Sequence, residues 1–154
     1  MANQKISQLP AATALQGTEQ LALVQEGATR RAAVAALSRE IIQLSCSDLV
    51  TPLEAGTNVG YVRAPRAFTI TAIRASLLTP SSAGAVTIDV NKNGATILST
   101  KLTIDQGEPT STTAAVPAVI SDTAVADDDL LAIDIDAPGE TAAGLILTFI
   151  GTPA

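Results

Sequence analysis

The segment "DTAVADDDLLAIDID" crowds Asp122, Asp127, Asp128, Asp129, Asp134 and Asp136 into one short stretch. Carboxylate oxygens are the hard donors that calcium prefers. A pair such as Asp127 and Asp129 has the residue types for general acid and general base in glycoside hydrolysis. The spacing argues against both chemistries. The run lacks the spaced ligands and the glycine of an EF-hand loop, and nothing in the sequence puts the pair in a cleft. It reads as a solvated turn. Asp134 and Asp136 share one strand parity, where two like charges repel unless water screens them, so that face belongs to solvent. Arg63, Arg66 and Arg74 are the cations available to these acids or to a neighbouring subunit, and exposed pairs of this kind contribute only about 0–1 kcal/mol each.

Other chemistries are excluded by what is missing. The chain has no histidine, which removes a Ser-His-Asp triad, an imidazole base and histidine metal sites. Cys46 is the only cysteine, so neither an intrachain disulfide nor a cysteine-rich zinc site can form. Without a histidine partner it reads as a small apolar filler. The glycines of "GAVTIDVNKNGATI" have the wrong spacing for a phosphate loop and no Lys-Ser/Thr follows them. The chain reads as a non-enzyme that uses no cofactor.

The elements that must position these residues are strands. In "FTITAIRASLLT" (Phe68–Thr79), Phe68, Ile70 and Ala72 share one parity. "AVTIDV" sets Val86, Ile88 and Val90 on one face. "NKNG" follows, and Asn-Gly is a strong hairpin signal. "ATILSTKLTI" returns, "DQGEPTS" is a loop, and Pro117 makes "AVPAVI" an edge strand or loop. "LLAIDID" alternates again, and "AGLILTFIG" closes the chain. With "LVTPLE" and "NVGYVR" there are about eight strands, which predicts an all-β fold, a β-sandwich of jelly-roll type. A sandwich with another strand order fits the same pattern.

This body, residues 48–154, follows a different front segment, residues 1–47. There "EQLALVQ", "EGA" and "TRRAAV" predict a hairpin, and Leu37, Ile41 and Leu44 in "AALSREIIQL" predict a short helix. A two-stranded hairpin is marginal in water, so its apolar residues need a surface, either this body or another chain. The front carries four basic and three acidic residues, and the body five basic and twelve acidic. The acidic body repels nucleic-acid phosphate. The near-neutral front can approach another protein. Hydrophobic residues make up 47% of the chain, enough for a core. No apolar run approaches the ~20 residues of a membrane span. "MANQKISQLP" lacks the order of a secretory signal, which predicts synthesis in a cytoplasm.

The front segment resembles one frequent at the start of tailed-bacteriophage virion proteins. The matching positions are Lys5 to Ala12, Gly17 to Glu19, Val24–Gln25, Gly27 and Thr29 to Arg31. The body is similar to a β-domain of phage structural proteins in "APRAFTITAIRASLLTPSSAG", "TIDVNKNGATILSTKLTID", "STTAA" and "VISDTAVADDDLLAIDID". The resemblance implies a virion structural protein, made in the host bacterial cytoplasm and docked to other virion proteins, capsid or tail, by its arm. Chain length favours a capsid decoration or head-fibre protein. A tail-fibre subunit that contacts a host-surface receptor is the alternative. It also implies a homotrimer, with a dimer as the second choice. The docking residues expected are Leu21, Leu23 and Val24, with Arg30 and Arg31 pairing with acceptors on the partner.

Overall fold

A computed structural model of the chain describes residues 20–33 and 38–154. The chain divides into two compact units, with the boundary between Ser38 and Arg39. In the first unit, β1 (Gln20–Gln25) and β2 (Ala28–Ala33) form an antiparallel hairpin. The motif positions Lys5 to Ala12 and Gly17 to Glu19 lie outside the described residues.

The second unit is almost all strand. It contains β3 (Glu40–Ser45), β4 (Gly56–Arg63), β5 (Phe68–Ser76), β6 (Val86–Lys92), β7 (Ala95–Thr96), β8 (Leu98–Thr100) and β9 (Leu102–Ile104). A short 3-10 turn at Ser111–Thr113 precedes β10 (Val119–Ile120), β11 (Ala124–Val125), β12 (Leu130–Ala137) and β13 (Ile146–Pro153). One sheet has the order β11-β5-β13-β3, and the other has β4-β12-β6-β7 with β9 also paired to β6. β8 pairs with β10.

The pairing is nested. β3 pairs with β13, β4 with β12, β5 with β11, and β6 with β9, all antiparallel. The sandwich is therefore one long double strand folded over itself, and the β13–β5 and β12–β6 pairings join the folded halves. This is the jelly-roll order. Alternation along each strand supplies the core. Leu131, Ile133 and Ile135 on β12 and Val86, Ile88 and Val90 on β6 face inward against Phe68, Ile70, Leu147 and Phe149 of the other sheet. All are at most 3% exposed. The expected Asn-Gly turn is present: Asn93 (φ 51) and Gly94 (φ 87) both take the left-handed conformation that a two-residue type I′ hairpin needs.

Several expectations are corrected. The helix expected over residues 35–44 is not there in its described part, because Glu40–Ser45 is a strand. Ile42 and Leu44 alternate inward while Ile41 and Gln43 point out. The edge of β13 offers a full ladder from Ile146 to Gly151. A branched Ile-Ile pair beside an open sheet edge gains more as strand than its helix-compatible spacing gains as helix. The compact body accordingly begins at Arg39 rather than at Asp48. "LVTPLE" is a loop, whereas "AVPAVI" is, as expected, loop through Ala118 and then a short edge strand at Val119–Ile120. Along β5 the inward parity changes midway, since Ala72 opposes Ile150 but Ile70 opposes Gly151. The extra residue, Thr71, bonds through Oγ1 to the Ile150 carbonyl at 3.0 Å. Beyond this bulge Ile73 and Ala75 take over the inward positions from Ile70.

Candidate interaction surfaces

The hairpin's register distributes the expected docking residues over two faces. Leu21 opposes Ala32 and Leu23 opposes Arg30, whereas Ala22 opposes Arg31 and Val24 opposes Thr29. Side chains alternate between faces along a strand. Leu21, Leu23 and Arg30 therefore share one face, and Val24 and Arg31 share the other. Leu21 is 49% exposed and Val24 73%. Leu23 is half-buried, and both arginines are exposed. The reversal falls at Glu26 (φ 52) and Gly27 (φ 75), another type I′ turn.

Several acidic residues of the body, though not Asp127, accept internal hydrogen bonds. Asp134 accepts from the Asn58 amide at 2.7 Å and from Asn91 Nδ2 at 2.8 Å. Asp89, only 7% exposed, accepts from Thr96 Oγ1 at 2.6 Å and from the Val90 amide at 2.8 Å. Lys101 lies between Asp136 and Asp89, and the hydrogen bond to Asp136 holds its ammonium above the usual lysine range. Asp129 accepts from the Ala126 amide and from Asn93 Nδ2, which holds its carboxyl below the usual range. Lys92 does the same for Asp122. Among the described residues, no three His, Cys, Asp or Glu side chains converge as a metal ion would require. Arg63, Arg66 and Arg74 do not converge on one site. Arg63 pairs with Asp128, Arg66 with Glu40, and Arg74 lines a separate cleft.

That cleft, of about 320 Å³, runs along β5 between Thr71 and Arg74 and is closed by Leu102, Pro117, Ala118 and Ile120. Its lining contains no carboxylate or thiol. A second cleft of about 250 Å³ reaches Cys46. Burial pushes that thiol up to about 11, so at neutral pH it is a protonated filler and not a nucleophile. Of the three aromatic residues, Phe68 and Phe149 are core and Tyr61 is 67% exposed. A sugar would find one surface ring to stack on.

The two ends of the sandwich differ in charge and polarity, which the sequence reading missed. The end that receives Arg39 has the ion pairs Arg63–Asp128, Arg66–Glu40 and Lys92–Asp122. The loops of the other end, residues 46–55, 77–85, 105–118 and 138–145, contain no Lys or Arg. They expose Leu49, Val50 and Leu78. A signal was present in "SDLVTP", where two aliphatic residues sit between turn formers.

No family model matches the chain, and no curated protein or solved structure was found to be significantly similar to it.

Proposed function

We propose that the protein is a non-enzymatic structural component of a tailed-bacteriophage particle, a capsid decoration or head-fibre protein held by its N-terminal arm. One observation carries this reading: a small hairpin with Leu21, Leu23 and Arg30 together on one face precedes a jelly roll that closes its own core. A two-stranded hairpin gains stability by burial against a partner, at about 25 cal/mol per Å² of apolar area. The resemblance of Lys5 to Arg31 to virion docking segments supports the same reading. The partners in this proposal are other virion proteins and, in a homotrimer, two further copies of the chain.

The alternative is a tail-fibre subunit that contacts the host surface. The exposed aliphatic residues of the loops opposite Arg39 favour it, because a purely anchored module has no use for them. Imaging of intact particles carrying a label at the C-terminal Ala154 tests both readings. Label on the head supports decoration, label on the tail supports the fibre, and absence of the label from purified particles overturns both.

A further inference from the structure

The loops after β3, β5, β9 and β12 leave the sandwich at one end, because Ser45, Ser76 and Ile146 are in register and Ile104 opposes Val86. They are tied to one another. The Leu53 amide bonds to Ala142 O at 2.7 Å, Gly144 to Asp48 O at 3.1 Å, Ser82 to Glu140 O at 2.9 Å and Gly107 to Ser81 O at 2.9 Å. Asp48 fixes the tip of the first loop. Its Oδ1 accepts from the amides of Val50 and Thr51 at 2.9 and 2.7 Å, and its Oδ2 from Thr51 Oγ1 at 2.7 Å. These bonds hold its carboxyl below the usual range, so it stays charged.

Leu49 and Val50 are thereby held 57% and 83% exposed, and Leu78, bonded through its amide to Ala143 O at 3.0 Å, is 63% exposed. Single exposed aliphatic residues are ordinary. Three on loops locked to the same Gly144 segment are different, because apolar anchors already ordered cost little entropy when a partner covers them. The same loops carry Asp48, Glu54, Asp105, Glu108 and Glu140 and no cation. This end of the sandwich therefore combines exposed aliphatic side chains with a net negative charge.

We infer that this end of the sandwich is a docking surface for a basic protein partner, one presenting apolar side chains together with lysine or arginine. Charge complementarity decides the class. A second copy meeting this end with its own would set two acidic, cation-free ends face to face. Anionic lipid headgroups and nucleic-acid phosphate are repelled in the same way. The inference does not depend on the virion reading, since it concerns the end of the sandwich away from Arg39.

The test is a titration of the isotope-labelled full chain, followed by amide NMR, with a synthetic peptide alternating leucine and lysine. A leucine–glutamate peptide and phosphatidylglycerol vesicles serve as the competing probes. Binding of the lysine peptide should shift the amides of residues 48–54, 77–82 and 140–144 and weaken in high salt. The Leu49→Ser, Val50→Ser double variant should lose about tenfold or more in affinity. Leu78→Ser should weaken binding independently, with an unchanged fold by circular dichroism in both. Absence of shifts, shifts located elsewhere, equal binding of the leucine–glutamate peptide, or wild-type affinity in both variants overturns the inference. Preference for the vesicles would make the surface a lipid contact, and concentration-dependent shifts at these residues without peptide would make it a self-contact. Either result also overturns it.

Discussion

Replacing Leu21 and Leu23 together by aspartate is the most direct perturbation of the arm, because the two share a hairpin face with Arg30. Fully burying a leucine contributes about 1.5–3 kcal/mol. Leu21, 49% exposed, retains about 1 kcal/mol of that for a partner to collect. Leu23, half-buried already, retains about 0.5 kcal/mol. Each introduced carboxylate adds a desolvation cost of about 1–3 kcal/mol if the partner covers it. The sum is at least about 3.5 kcal/mol, or a loss of several hundredfold or more in affinity. Val24→Asp alters the same strand but the opposite face, so it controls for loss of the hairpin itself. The assay is protein bound to purified particles, with circular dichroism of the free protein to verify the sandwich. The double variant should be nearly absent from particles and Val24→Asp largely retained. Arg30→Ala should weaken attachment more than Arg31→Ala, because only Arg30 lies beside the leucines. Normal incorporation of the double variant would refute the arm as anchor. Loss of Val24→Asp alone would refute the choice of face.

Three further outcomes are expected. A fragment Arg39–Ala154 should unfold cooperatively on heating, while Asp48–Ala154, lacking β3 and its inward Ile42 and Leu44, should melt lower or aggregate along the bared edge of β13. Gly144→Ala should destabilise by about 2–4 kcal/mol, seen as a lower Tm, since a Cβ there would lie 2.5 Å from Leu78 Cβ at φ +72. The Cys46 thiol, raised from 9.0 to about 11 in the folded state, is protonated in both states below pH 9. Above that the unfolded thiol ionises first, so stability falls from pH 9 to pH 11, by about 2–3 kcal/mol. Denaturant titrations of wild type and Cys46→Ala at both ends of that window should show the extra fall only in wild type.

Much of this architecture was legible in the residues. Local alternation and turn chemistry act within a few residues, so the sequence alone determined that β6 and β12 present Val86, Ile88, Val90 and Leu131, Ile133, Ile135 to one face. It also determined that Asn93–Gly94 and Glu26–Gly27 reverse the chain, and that a chain without histidine and with a single cysteine is short of catalytic groups. Only tertiary structure decided what depends on a distant edge or neighbour. Glu40–Ser45 became strand because β13, a hundred or so residues later, offered it a ladder. The inward parity of β5 changed at Thr71 because its partners on β13 demanded a bulge. Which hairpin residues share a face followed from pairing across the turn. The acidic, apolar end arose only when four loops far apart in sequence were brought together, since no local pattern records which turns of a jelly roll share an end.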